Sequence, residues 1–357
     1  MSSAFEIGGR AIGGSAKPYV IAEMSGNHNG DIARALKLID AAKEAGADAV
    51  KLQTYTADTI TLDCDGPGFV IEGGLWHGRR LYDLYREAHT PWEWHPRLFA
   101  HARAIGIHCF SSPFDETAVD FLESLDAPAY KIASFEIVHL PLIRRVAATG
   151  KPTIISTGMA SPDEIAEAVD AFRAAGGKSA ALLHCTSAYP APAADANLRY
   201  MPSLGSRHGC LFGLSDHTIG NQTAVAAIAL GACIVEKHFT LARADGGPDS
   251  AFSLEPAELR DLVGSVRVAF DSLGSGSSER GASEKGSFAF RRSIYATRDI
   301  APGERFSAAN VRVVRPGYGL APRNWERVVA SRAAGAIKRG APIEAAMLRA
   351  DEKSENQ

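Results

Sequence analysis

"CIVEKH", residues 233–238, opens as a β-branched run suited to a core and closes on three groups that favour water, Glu236, Lys237 and His238. Strands of this kind belong where the C-terminal ends of parallel strands gather at one mouth of a β/α barrel, because there the chain leaves the packed interior. Seven other short apolar runs precede it: "YVIAE" (19–23), "AVKLQ" (49–53), "IHCFSS" (107–112), "AYKIAS" (129–134), "TIISTG" (153–158), "ALLHCTS" (181–187) and "FGLSDH" (212–217). Eight is the count of a closed (β/α)8 barrel. Between the runs lie segments of helical period, "DIARALKLIDAAKEAGA" and "SPDEIAEAVDAFRAAGG" among them, with Asp31 and Ser161 placed as N-caps. The alternation predicts parallel pairing with right-handed crossovers.

At 357 residues the chain exceeds one barrel of about 250 residues. Part of the surplus is residues 57–94, whose "GGLWHGRRLYDLYREAHTPWEWH" is rich in aromatics and glycine; a loop this long is expected to be a lid or rim. The rest follows the last barrel helix. The barrel is predicted over residues 1–274 and a flexible Gly/Ser-rich linker, "SGSSERGASEKGS", over 275–287. Short strands punctuated by Pro-Gly and Asn then predict a small, mostly β domain over 288–350, with a tail at 351–357.

A formal net charge of −3 provides no basic field for nucleic acid or an anionic membrane. Five scattered cysteines without a CxxC pair speak against a disulfide framework or a structural zinc site, and predict a reduced cytoplasmic setting. Residues 1–20 lack the basic start and apolar run of a secretory signal, and no stretch of about 18 apolar residues occurs. Neither export nor membrane spanning is expected.

Polar residues cluster at the predicted strand ends. The first run ends in Glu23, the second carries Lys51 and Gln53, the third Ser111 and Ser112, and the fourth Lys131 and Ser134. Ser156 ends the fifth, Thr186 and Ser187 the sixth, Ser215 and His217 the seventh, Glu236 and His238 the eighth. Period-two alternation sets Ser215 with His217 on one face and Glu236 with His238 on one face, while Lys237 is out of phase and faces the barrel wall. Two imidazoles on adjacent strands could hold one divalent ion, with water and substrate completing its shell. Of the other histidines near the mouth, His184 is expected to pack inside and His28 is left open.

Lys51 and Lys131 sit inside apolar strands, so their ammonium groups either snorkel to the rim or meet an anion. With Ser134, Ser156 and Ser215 they make a small anion site, to which "STGMASPDEI" adds backbone N–H groups and a helix N-terminus. No GxxxxGK[ST] loop occurs, so a nucleoside triphosphate is disfavoured and a small phosphorylated, carboxylated molecule fits better. Three readings follow. The first is a metal-dependent carbon–carbon bond-forming enzyme with a phosphorylated three-carbon donor; the second is a Schiff-base aldolase using Lys131 or Lys237; the third is a non-catalytic carbohydrate-binding protein.

The ordered motifs "IAEMSGNHNG", "AVKLQTY", "FSSPFD", "AYKIAS", "IISTGMA", "HCTSAYP", "GLSDHT", "EKHFT" and "GGPDSAFSLEP" resemble the sialic acid synthase family over nearly the whole chain. "RRSIYATRDIAPGERF" with "VRVVRPGYG" is similar to the antifreeze-like (SAF) domain that ends those synthases. Within the family, "AEMSGNHNG", "KLQTYTADTITLD", "EAHTPWEWH" and "ADGGPDSAFSLEP" look most like the pseudaminic-acid-forming branch. The sialic-acid-forming branch more often reads Ile-Gly or Gly-Val at Met24-Ser25 and Asn at Ser187. The resemblance implies a transferase condensing phosphoenolpyruvate with 2,4-diacetamido-2,4,6-trideoxy-L-altrose rather than N-acetylmannosamine, with a legionaminic product as the alternative. It places Lys51, Lys131, Ser134, Ser156 and Ser215 on phosphoenolpyruvate, with Ser111 or Ser112 nearby. It makes His217 and His238 ligands of Mn²⁺ or Mg²⁺, sets Gln53, Ser187, Tyr189, Asp249 and Glu236 toward the sugar, and puts Glu23 by the reacting carbons. Arg315 would reach the sugar of the partner subunit, which implies a domain-swapped homodimer.

Overall fold

The computed structural model describes residues 4–279 and 281–350, so the expected tail at 351–357 lies outside the described residues. The chain divides into two compact units between Ser275 and Gly276.

The first unit begins with a hairpin, β1 (Phe5–Ile7) against β2 (Arg10–Ile12). Its two-residue turn has Gly8 at φ 55° and Gly9 at φ 81°, the left-handed pair that a tight hairpin turn requires and that glycine adopts without strain. Eight parallel strands follow: β3 (Tyr19–Glu23), β4 (Ala49–Thr54), β5 (His108–Pro113), β6 (Tyr130–Ile132), β7 (Thr153–Ser156), β8 (Ala180–Cys185), β9 (Leu211–Ser215) and β10 (Ile234–His238). β10 pairs with β3, so the sheet closes into the expected barrel. Asp31 accepts from the Ala33 N–H, and Ser161 forms a capping box with Glu164, so both N-caps start helices as read.

Alternation along the strands sorts the side chains into two cores. Tyr19, Ile21, Ala49, Phe110, Ile154 and Leu183 fill the barrel interior, where Phe5, Ile7 and Ile12 of the hairpin join them. Val20, Leu52, Ile132, Leu182 and Val235 face the helical layer instead. The hairpin thus closes the end of the barrel opposite the strand C-termini. Lys237 points outward into a buried ion pair, its Nζ 2.9 Å from Asp216 Oδ2 and 2.7 Å from the Thr218 carbonyl oxygen. Residues 57–94 contain two short helices, Ala57–Ile60 and Leu81–Ala88, joined by irregular chain. Among the described residues no helix is long and apolar enough to cross a membrane.

The second unit pairs β11 (Ser293–Ala296) with β12 (Val311–Val314) and β13 (Ser331–Ala333) with β14 (Leu348–Ala350), both antiparallel. Ile294, Phe306, Val311, Val328, Ile337 and Ile343 form its separate core. The stretch read as a flexible linker is partly ordered, because a 3-10 helix spans Ala282–Phe290.

Candidate active site

The barrel register brings the inward polar groups together. Glu23 lies level with Lys51 on β4 and with His238 on β10, and Glu236 lies level with Ser215 on β9. All are buried. Lys51 Nζ stands 2.5 Å from Glu23 Oε2, 3.6 Å from Glu236 Oε1 and 3.2 Å from Ser112 Oγ. Lys131 Nζ is 3.9 Å from Glu236 Oε1 and otherwise donates to the Ile132 carbonyl oxygen at 3.2 Å. Two ammonium groups and two carboxyls therefore share one solvent-shielded cluster.

Around the lysines the hydroxyls are poised for an anion. Ser156 Oγ is buried and makes no hydrogen bond, and Glu236 Oε2 is likewise buried without a partner. Such orphaned polar atoms are costly unless a ligand satisfies them. Ser134 and Ser187 converge on Gly158, where a methyl group would overlap the Ser187 hydroxyl and lie 2.9 Å from Ser134 Oγ. The close approach leaves backbone as one wall of the pocket. Ser111 does not join the group. It is out of phase with Ser112, and its hydroxyl lies 2.6 Å from Thr54 Oγ1, which in turn is 2.9 Å from His95 Nε2, on the outer side of the strand. The expectation that Ser111 meets substrate is corrected by strand alternation.

The imidazoles of His217 and His238 face each other with ring centroids 5.4 Å apart. His217 Nδ1 lies 2.9 Å from the Thr186 carbonyl oxygen, an acceptor only, so this nitrogen carries the proton and Nε2 presents a lone pair. His238 Nδ1 is buried, unpartnered and 3.9 Å from Asp249 Oδ2. Among the described residues no third His, Cys, Asp or Glu completes a metal-binding group with them. The donor set suits a cation that takes two protein nitrogens and fills its shell with water and substrate oxygens, and His217 and His238 are the residues that could hold it.

Electrostatics divides the two carboxyls. Burial raises Glu23 to about 7 despite the opposing Lys51 ammonium, and Glu236 adds to the rise. Burial also acts against ionised Glu236, but Lys131 and Lys51 outweigh it and hold Glu236 below the usual range. Lys51 loses to burial but gains more from Glu23 and Glu236, and its pKa rises. Burial dominates at Lys131, whose pKa is lowered although Glu236 opposes the shift. A third carboxyl went unnoticed in the sequence. Glu136, in a 3-10 turn past β6, is raised to about 7 by burial against the pull of Lys131, and its Oε2 makes no hydrogen bond. Its signal was an acidic residue between the apolar Phe135 and Ile137, just beyond Lys131.

Toward the rim, Gln53 Nε2 donates to Glu23 Oε1 at 2.9 Å. The Tyr189 ring lies 4.3 Å from His217 and 5.2 Å from Phe252, centroid to centroid. Trp76 from the 57–94 insertion lies 5.7 Å from Tyr189 and donates its indole N–H to the Pro248 carbonyl oxygen at 3.0 Å. Asp249 is buried and accepts from Ser25 Oγ. Arg315 belongs to the second unit, where it lines a surface cleft with Arg291, Arg292 and Phe290.

The chain matches the NeuB family over residues 38–278 and the SAF domain over 291–349. It is 44% identical over 324 residues to a pseudaminic acid synthase of Campylobacter jejuni subsp. jejuni serotype O:2, covering 91% of this chain and 94% of that protein. To a pseudaminic acid synthase of Helicobacter pylori it is 42% identical, covering 92% and 97%. A crystal structure of N-acetylneuraminic acid synthetase from Leptospira borgpetersenii, in complex with citrate, superposes with a TM-score of 0.72 at 33% identity, covering 80% of this chain and 95% of that one. With the barrel, its polar mouth and the family match in agreement, the chain belongs to the NeuB family and carries a SAF domain after its barrel.

Proposed function

We propose that the chain condenses phosphoenolpyruvate with 2,4-diacetamido-2,4,6-trideoxy-L-altrose and water, giving pseudaminic acid and inorganic phosphate. One observation carries this reading: two buried ammonium groups and an unpartnered serine hydroxyl lie in the same barrel mouth as a facing pair of imidazoles. The similarity to pseudaminic acid synthases supports the choice of sugar.

Lys51, Lys131, Ser112, Ser134, Ser156 and Ser215 would hold the phosphate and carboxylate, and Gln53, Ser187, Tyr189 and Asp249 would orient the ring-opened sugar. A divalent cation, Mn²⁺ or Mg²⁺, on His217 and His238 would supply charge stabilisation at the aldehyde oxygen. Carbon three of phosphoenolpyruvate attacks the aldehyde carbon, forming the new C–C bond and leaving an oxocarbenium ion at carbon two. Glu23, which titrates near neutral pH, gives its proton to the sugar oxygen from its protonated form, while ionised Glu236 takes one from the water that adds at carbon two. The C–O bond to phosphate then breaks, and the proton of the new hydroxyl leaves with the phosphate as the keto group forms. Arg315 is assigned to the sugar of a partner subunit in a domain-swapped homodimer, and the reaction to the cytoplasm.

The test offers phosphoenolpyruvate with each candidate amino sugar, follows phosphate release and identifies the nine-carbon acid by mass and NMR. Pseudaminic acid is expected. A legionaminic or N-acetylneuraminic product would replace the sugar assignment, and sugar binding without phosphate release would favour the non-catalytic reading. Chelation should stop turnover, Mn²⁺ or Mg²⁺ should restore it, and His217→Ala or His238→Ala should abolish it with the circular dichroism intact. Borohydride trapping of a substrate on Lys131 would instead establish the Schiff-base route. Lys237 is a poor nucleophile for that route, tied as it is to Asp216 on the outer side of the barrel wall.

A further inference from the structure

We infer that Ser25 is a positioning residue that locks the Asp249 carboxylate in one orientation and thereby sets which amino sugar the enzyme accepts. The inference rests on the proposed function for the class of substrate. Ser25 follows β3 by two residues and begins a buried 3-10 turn, Ser25–His28. Its φ of 47° lies in the left-handed region, where a serine is strained and a glycine is not. Strain of this kind persists where the surroundings enforce it, and at this position the enforcing contact is visible. Ser25 Oγ donates to Asp249 Oδ2, and both residues are buried, at 4% and 9% exposure.

The hydroxyl has a competitor for that oxygen. His238 Nδ1, buried and unpartnered, lies 3.9 Å from the same Oδ2. Without the Ser25 hydroxyl, a small rotation of the carboxylate would bring it onto the imidazole and away from the sugar. The surrounding loops fix the distance between Ser25 and Asp249. A methyl group on Gly26 would lie 3.2 Å from Pro248 Cγ, and the Pro248 carbonyl is held by Trp76. Asn29 holds the same loop by donating to the Gly246 carbonyl oxygen at 3.1 Å, and on the C-terminal side Ser253 Oγ donates to the Asp249 carbonyl oxygen at 2.7 Å. The backbone around Asp249 is therefore held from both flanks, and the side-chain angle is the freedom that Ser25 removes.

Three variants test this. Ser25→Gly relieves the backbone strain and deletes the hydroxyl, Ser25→Ala keeps the strain and deletes it, and Ser25→Asn suits the left-handed backbone while restoring an N–H donor. Ser25→Gly and Ser25→Ala are expected to raise the KM for the amino sugar about tenfold or more, the scale of one hydrogen bond to a charged group, with the KM for phosphoenolpyruvate unchanged. They should also narrow the ratio of kcat/KM between the diacetamido sugar and N-acetylmannosamine. Ser25→Asn should recover part of both, and the Tm of Ser25→Gly should be no lower than that of the wild type. An active wild type with sugar KM and selectivity ratio unchanged in Ser25→Gly overturns the inference alone. A wild type that releases no phosphate with any amino sugar overturns the functional reading and this inference together.

Discussion

Glu136 keeps its proton to a higher pH in the folded protein than in the unfolded chain. Its carboxyl ionises near 7 in the folded protein against an ordinary value of 4.5, because burial disfavours the charge more than Lys131 favours it. Between those two pH values the native state binds the extra proton, so stability falls as pH rises through the window, by up to about 3 kcal/mol once it is crossed. Glu136→Gln removes that dependence. The Tm of the variant minus that of the wild type, measured without substrates, should grow from pH 4.5 to pH 7.5. Gly158 offers a second prediction, since Gly158→Ala must displace Ser187 and Ser134. The KM for phosphoenolpyruvate should rise tenfold or more, as expected when hydrogen bonds to a charged ligand are lost, with the fold intact by circular dichroism. Strand phase made most of these side chains legible in the sequence, Lys237 included. The same rule places Ser111 outside once the register is known. Glu136 and Gly158 were harder to read because both act from turns, where no period tells which way a group points.

The hairpin of β1 and β2 acts on stability without touching the chemistry. Ile7 and Ile12 are almost fully buried against the barrel interior, together with Phe5. Ile7→Ala should cost about 2–5 kcal/mol of stability, the range for large-to-small changes in a core, with kcat and both KM values unchanged below the lowered Tm. The eight barrel strands were legible because each is an apolar run bounded by helical period. Three-residue strands give alternation too little length to show, so β1 and β2 were read only as chain before the first run. The insertion at 57–94 was legible as an excursion. Its attachment through Trp76 to Pro248 was not, since that contact joins residues 172 positions apart.

At the scale of the molecule the charge is unevenly divided. Residues 291–349 carry twelve Lys and Arg against four Asp and Glu, whereas the whole chain is net negative. If the SAF domain serves a partner's barrel, as proposed, charge of opposite sign on the two would favour that association, and it should weaken with added salt. If Arg315 serves a partner's site, mixing inactive Lys131→Ala subunits with Arg315→Ala subunits should restore about a quarter of wild-type activity, because half of randomly formed dimers then hold one complete site. No recovery is expected if Arg315 serves its own barrel. The sequence showed two domains because their cores are built from separate segments, but nothing local in it fixes which barrel a domain serves. The hairpin beneath the barrel leaves a vessel stoppered at its base, and traffic through a single opening has an order. The residues proposed to hold the phosphorylated donor lie lowest, with Lys131 at 2% and Ser156 at 1% exposure, while Gln53 and Tyr189 sit nearer the lip. On the proposed assignment, a sugar that arrives early would cork the neck, and phosphate freed at the bottom would depart only after the acid above it has gone.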